Sequence, residues 1–156
     1  MPPVDEEFLL RQTRLLCTSY AHWTGRQLVS AAGANNADLA QQLWTAAFAV
    51  VAHDTQADPV FNYGNACALR AFAMDWQQFT RLPSRLSAEP LAREERARLL
   101  EHVARNGFVD DYAGMRISGD GTRFMIRDAT VWNLLDEHGD YCGQAARFEL
   151  PAAAGV

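Results

Sequence analysis

FVDDYAGMRIS (108–118), TRFMIRDATVWNLL (122–135) and YCGQAARFEL (141–150) are three strand-like runs joined by GDG (119–121) and DEHGD (136–140). Both joints carry the glycine and aspartate chemistry of tight hairpins, so the last part of the chain reads as a three-stranded antiparallel meander. In the third run Cys142, Gln144, Ala146, Phe148 and Leu150 fall on one face by two-residue alternation. Tyr141, Gly143, Ala145, Arg147 and Glu149 fall on the other. Gln144 is therefore a polar group on a mostly apolar face, where it needs a hydrogen-bond partner.

Working backwards, LAREERARLLEHVARN (91–106) is the strongest helical pattern in the chain. Ser87 and Pro90 open it, and Leu91, Leu99, Leu100 and Val103 contribute to one face. Glu94/Arg98 and Glu101/Arg105 make i,i+4 pairs, and Gly107 is the natural stop. LPSR (82–85) separates this helix from a short turn, DWQQF, capped by Asp75. Further back, AFAVVAH (47–53) and Pro59–Tyr63 read as two short strands around the polar loop DTQAD, and Asn65 caps a helix beginning ACALRAF. The first helical pattern, with Phe8, Leu9, Leu15, Leu16, Tyr20 and Trp23 on its apolar side, ends at Gly25. A small-residue stretch at Gly33–Asn36 loosens the chain before Leu39, Leu43, Trp44 and Ala47 resume the helical period. The expected organisation is a helical extension over 1–36, one domain over 37–150 and a fraying tail over 151–156.

The 156 residues are enough for one core without disulfide or metal staples. No apolar run approaches the roughly 20 residues needed to span a bilayer, and MPPVDEEF has no basic n-region, so neither a membrane span nor a signal peptide is expected. Cys17, Cys67 and Cys142 are odd in number and far apart, which argues for reduced thiols and a cytoplasmic address. All 14 basic residues are arginine against 19 acids, a balance that lacks the electrostatic footprint of a nucleic-acid binder.

The order of two strands, short helices, one longer helix and a three-stranded meander is that of a PAS domain. AHDTQADPVFNYGNACAL (52–69), DWQQFTRLPSRLSAE (75–89), GFVDDYAGMRISGDGTRF (107–124) and ATVWNLLDEHGDYCGQAA (129–146) resemble the PAS-related MEKHLA-domain family, over about Leu15 to Phe148. The resemblance implies an α+β fold, a PAS-like five-stranded antiparallel sheet with helices packed on one face, here preceded by an N-terminal amphipathic helix. It also implies a small hydrophobic cavity between helices and sheet, and a sensing or regulatory role rather than a reaction.

Several residues carry competing readings. Cys67 with His53 and Asp58 can be drawn as nucleophile, base and orienter of a thiol-dependent enzyme, while the plainer reading makes Cys67 a small core hydrophobe. His22, His53, His102 and His138 lie in separate elements, which argues against a metal site. His102, on the long helix, is the position from which some PAS sensors ligate haem, the alternative being a surface histidine. The connector TRLPSRLSAE (80–89) has no cysteine for a covalent flavin adduct, but Gln144 and Asn133 can hydrogen-bond a noncovalent flavin. Arg85 can staple the protein to one of its own carboxylates or hold an anionic ligand.

The aromatic residues Phe61, Tyr63, Trp76, Phe79, Phe124 and Trp132 are read mainly as core. The ligand-pocket candidates are thus Phe61, Tyr63, Arg85, His102, Trp132, Asn133, Cys142 and Gln144, with a small apolar or heterocyclic ligand and a homodimer or regulatory protein as partners. The competing expectation is a constitutive dimerisation module with a filled core, which would use the first helix or the sheet face to associate.

Overall fold

The computed structural model describes residues 1–30, 35–88 and 93–150, with backbone alone for 93–97. The expected loosening at Gly33, the Pro90 start of the long helix with Leu91, the side chain of Glu94 and the 151–156 tail lie outside the described residues. The helices are α1 (Glu6–Thr24), α2 (Asn36–Trp44), α3 (Ala66–Phe72), α4 (Trp76–Phe79) and α5 (Arg93–Asn106), with a 3-10 turn at Ser84–Ser87. The strands are β1 (Ala49–His53), β2 (Phe61–Gly64), β3 (Phe108–Ile117), β4 (Arg123–Leu135) and β5 (Tyr141–Phe148). They form one antiparallel sheet in the order β2-β1-β5-β4-β3. The meander read from the three C-terminal runs is therefore present, and β1 and β2 join it on the β5 side.

The caps follow the residue chemistry. The Asn65 side chain accepts from Ala68 N at the start of α3, and Asp75 with Gln78 makes a reciprocal capping box on α4. Gly25 and Gly107 both adopt the left-handed conformation at helix ends. The Glu101–Arg105 pair on α5 is formed.

Both faces of the sheet are buried, and this decides where a ligand can go. Along β1, Ala49 and Val51 meet Phe72, Phe79 and Phe148 in one cluster, while Val50 and Ala52 meet Leu9, Leu16, Tyr20, Trp132 and Leu134 in another. Helix α1 thus lays its apolar side on its own sheet, the face opposite to α3. Polar staples fix it there. Gln12 donates to Asn62 Oδ1 (3.1 Å), Trp23 Nε1 donates to Asn133 O (2.9 Å), and Leu135 N donates to Ser19 Oγ (2.9 Å).

Register shifts break the simple alternation read from the sequence, two in the β3–β4 ladder on either side of Tyr112 and one each in β2 and β5. In β2 the register passes from Ala52↔Tyr63 to His53↔Phe61, leaving Asn62 unpaired, so Phe61 and Tyr63 reach opposite faces. In β5 it passes from Leu134↔Gly143 to Leu135↔Tyr141, leaving Cys142 unpaired; Cys142 packs against the α1-side cluster, not beside Gln144.

Asn65 is more than a cap. It is fully buried, and its Oδ1 accepts from both Val50 N (3.0 Å) and Ala68 N (3.0 Å). Its Nδ2 donates to Leu43 O (2.9 Å) and Phe48 O (2.9 Å). One amide thereby joins the end of α2, strand β1 and the start of α3.

Candidate functional site

Between the sheet face that carries α3 and the segment formed by the 3-10 turn and α5 lies a cavity of about 750 Å3. Its floor comes from three neighbouring strands: Val51 of β1, Ala146 and Phe148 of β5, and Ile126 and Val131 of β4, the last two brought to one side by the register shift between them. Val51, Ala146 and Val131 stand in one register row, so a small alanine side chain sits at the centre between two valines. Phe61, Phe72 and Leu99 add apolar wall, and the half-exposed Leu86 and Leu100 border the mouth. The volume and lining are those of a small-molecule site.

Polar groups sit at two places. On one side Gln144 and His53, paired across β5 and β1, line the cavity. Gln144 Nε2 donates to Asn133 Oδ1 (3.3 Å), and Asn133 Nδ2 donates to Val103 O (3.3 Å), which ties β5 and β4 to α5. The partner that Gln144 needs is Asn133. On the other side, Tyr112 and Arg116 of β3 face Ser84, Arg85 and Ser87 of the 3-10 turn. Arg116 donates to Tyr112 Oη (3.2 Å) and to Ser87 Oγ (3.4 Å).

Of the eight residues singled out in the sequence, Phe61, Arg85 and Gln144 line this cavity. Tyr63, Trp132 and Cys142 belong to the α1-side cluster, so they do not line it; the Asn62 and Cys142 bulges account for the first and the last. Trp132 follows Val131 on β4, and strand alternation turns it to the far face, edge-on to Tyr20 with ring centroids 5.0 Å apart. Asn133 stands behind Gln144. His102 is exposed on α5 and outside the lining, so a haem iron held there would lie outside the cavity. Arg85 donates through Nε to both oxygens of Asp58 (3.1 and 3.2 Å) in an exposed pair.

The thiols are placed for packing. Cys67 is 1% exposed with its Sγ against Ala47 O, and burial pushes its pKa up. A nucleophile needs access and a stabilised thiolate, so the Cys67–His53–Asp58 drawing is corrected to a core thiol. Cys17 on α1 is pushed up to about 11 by burial. Burial first, and then the neighbouring Cys17 sulfur, raises the Tyr63 phenol as well. Both stay neutral beneath α1 at physiological pH. Among the described residues, no group of three or more His, Cys, Asp or Glu side chains could hold a metal ion.

The flavin expectation rests on Gln144 and Asn133. Asn133, one of the two groups expected to read the ring edge, is committed to Val103 O and Gln144. That leaves the Gln144 amide as the expected contact facing the cavity. Most of its residues were not singled out in the sequence, Tyr112, Arg116 and Ile126 among them. The alternation Tyr112, Gly114, Arg116 was the available signal, two polar side chains on one face of a strand.

The family model for the MEKHLA domain matches residues 10–150. Among solved structures, the PAS domain of a protein from Colwellia psychrerythraea superposes with a TM-score of 0.63 at 15% identity, covering 74% of this chain and 95% of that one. A light-oxygen-voltage domain studied with a flavin analogue gives 0.59 at 15% identity, covering 74% and 86%. The photo-excited blue-light photoreceptor Vivid gives 0.53 at 17% identity, covering 65% and 76%. At these identities the likeness is one of fold. No curated protein sequence matches the chain.

Proposed function

The chain belongs to the MEKHLA domain family, and from that premise we propose that it is a PAS-like regulatory module that takes a small, largely apolar molecule into the cavity on the α3–α5 side of its sheet. The observation that carries this reading is the cavity itself, about 750 Å3 lined chiefly by apolar side chains of sheet and helices. A ligand there touches Leu99 and Leu100 of α5 as well as the sheet floor. It therefore binds differently to two packings of α5, and that difference in affinity is what shifts an equilibrium between association states, as a homodimer or with a regulatory protein.

In this reading residues 37–150 carry the sensing unit, and α1 of the N-terminal extension over 1–36 seals the opposite face. The module works by binding, in the cytoplasm, where its three thiols stay reduced. Among the described residues no helix is long and apolar enough to cross a membrane. The constitutive module with a filled core is less favoured for two reasons: the cavity is open, and the apolar side of α1 is spent on its own sheet.

Native mass spectrometry of the purified full chain, with an absorbance scan, tests the proposal. The expected spectrum shows either a retained small organic molecule or, after stripping, one equivalent of the neutral probe N-phenyl-1-naphthylamine, with a changed monomer-to-oligomer ratio. Failure to bind the probe at any concentration, with no retained molecule, would leave the interaction module as the better reading.

A further inference from the structure

We propose that the cavity selects a molecule with an apolar body ending in a neutral –NH2 group, an arylamine or a primary amide, whose two N–H bonds donate to His53 Nε2 and Gln144 Oε1. This deepens the reading above and rests on it. His53, Gln144 and Asn133 stand in one register row across β1, β5 and β4. The row is half-buried and lies two residues along from the apolar row of Val51, Ala146 and Val131. His53 and Gln144 line the cavity, and Asn133 stands behind them.

Backbone carbonyls, which can only accept, set the orientation at both ends of this row. Val103 O takes Asn133 Nδ2 (3.3 Å), so Asn133 turns its Oδ1 to Gln144 and receives Gln144 Nε2 (3.3 Å). That leaves Gln144 Oε1 as an acceptor on the other side of its amide. At the far end Asp54 O lies 2.8 Å from His53 Nδ1, which places the proton of the neutral ring on Nδ1 and the lone pair on Nε2. Neither Gln144 Oε1 nor His53 Nε2 meets a donor among the described residues. Gly143 lets β1 and β5 close at this point, since a Cβ there would stand 2.5 Å from His53 O.

Two acceptors side by side call for a ligand that brings two protons. A hydroxyl brings one. Cross-strand neighbours stand about 5 Å apart at Cβ, the span over which a single –NH2 group reaches two acceptors at about 3 Å each. An amide oxygen and an imidazole nitrogen call for a donor rather than a charge. The apolar body then has its place, because the Val51, Ala146 and Val131 row lies about 7 Å from the polar row at strand spacing. One para-substituted benzene ring bridges that interval.

The test compares 4-butylaniline with its isostere 4-butyltoluene at neutral pH, where the arylamine is uncharged, by displacement of N-phenyl-1-naphthylamine from the full chain. The aniline is expected to bind about tenfold more tightly than the toluene, the worth of two hydrogen bonds in a site whose acceptors are otherwise left unpaired. His53→Phe and Gln144→Met should each lower that ratio about threefold, and together bring it close to one. Should Gln144→Met fail to fold, His53→Phe decides. Equal affinities in the parent chain, or a ratio untouched by His53→Phe, overturn the –NH2 group while leaving the cavity reading intact. Binding of neither compound, nor of the naphthylamine probe itself, overturns both.

Discussion

Replacing Asn65 with alanine should destabilise the protein by about 3–5 kcal/mol, enough to unfold much of a marginally stable domain at 37 °C. The amide sits at zero exposure with all four of its hydrogen-bonding directions used, on Val50 N, Ala68 N, Leu43 O and Phe48 O. Truncation removes the cap of α3, worth about 1 kcal/mol, and strands buried backbone groups of three elements. Asn65→Asp is expected to be worse. It would turn an acceptor oxygen towards the Leu43 and Phe48 carbonyls and bury a charge among them. Urea denaturation followed by circular dichroism measures both; a loss for Asn65→Ala no larger than about 1 kcal/mol would reduce Asn65 to a simple cap.

Gly107→Ala should cost about 3 kcal/mol, from a left-handed backbone penalty of about 1–2 and the displacement of a packed ring. Gly107 has a φ of 83°, its N–H donates to Val103 O (2.8 Å), and its carbonyl accepts from Asn133 N (2.9 Å). A methyl group there runs into the Trp23 ring, whose Nε1 holds Asn133 O. This glycine is where α5, β4 and α1 close on one another. Gly25→Ala provides the control, since it shares the left-handed φ of 71° but would have no atom within 4 Å. It should lose only the backbone penalty; equal losses at both positions would remove the ring contact from the explanation.

The outline of the fold was legible because local chemistry and tertiary packing agree along most of the chain. GDG and DEHGD make hairpins, Asn65 and Asp75 cap helices, and Gly107 ends α5. What the sequence did not reveal came from register shifts, those in β2 and β5 above all, and from one helix. Strand alternation assigns faces only while the register holds, and a single unpaired residue at Asn62 or Cys142 sends its neighbours to the other side. An amphipathic α1 suits its own sheet and a second subunit equally well as a pattern. Gln12, Ser19 and Trp23 fix it on its own sheet through bonds to Asn62, Leu135 and Asn133.

The site was legible in part for the same reason. Phe61, Arg85 and Gln144 line the cavity, whereas an uninterrupted period of two drew Tyr63 and Cys142 to the wrong face, and Trp132 was grouped with its neighbour Asn133 although adjacent strand residues face opposite ways. His102 neighbours the buried Val103 in sequence, but a helix turns adjacent side chains about 100° apart, and it ends up exposed. Arg116 escaped notice because a charged residue on a strand reads as a solvent-facing one until the 3-10 turn is seen packed against it.

The central claim is that a ligand enters between α5 and the sheet, on the face away from α1. Titration of the isotopically labelled full chain with dodecan-1-ol, followed by amide chemical shifts, tests it most directly. The expected shifts concentrate on Val51, Leu99, Ile126, Val131 and Ala146, leave the Leu9–Tyr20 stretch of α1 unmoved, and disappear in Ala146→Phe, whose ring fills the centre of the cavity. Shifts centred on Leu9, Leu16 and Tyr20, or shifts that survive Ala146→Phe unchanged, would contradict the account.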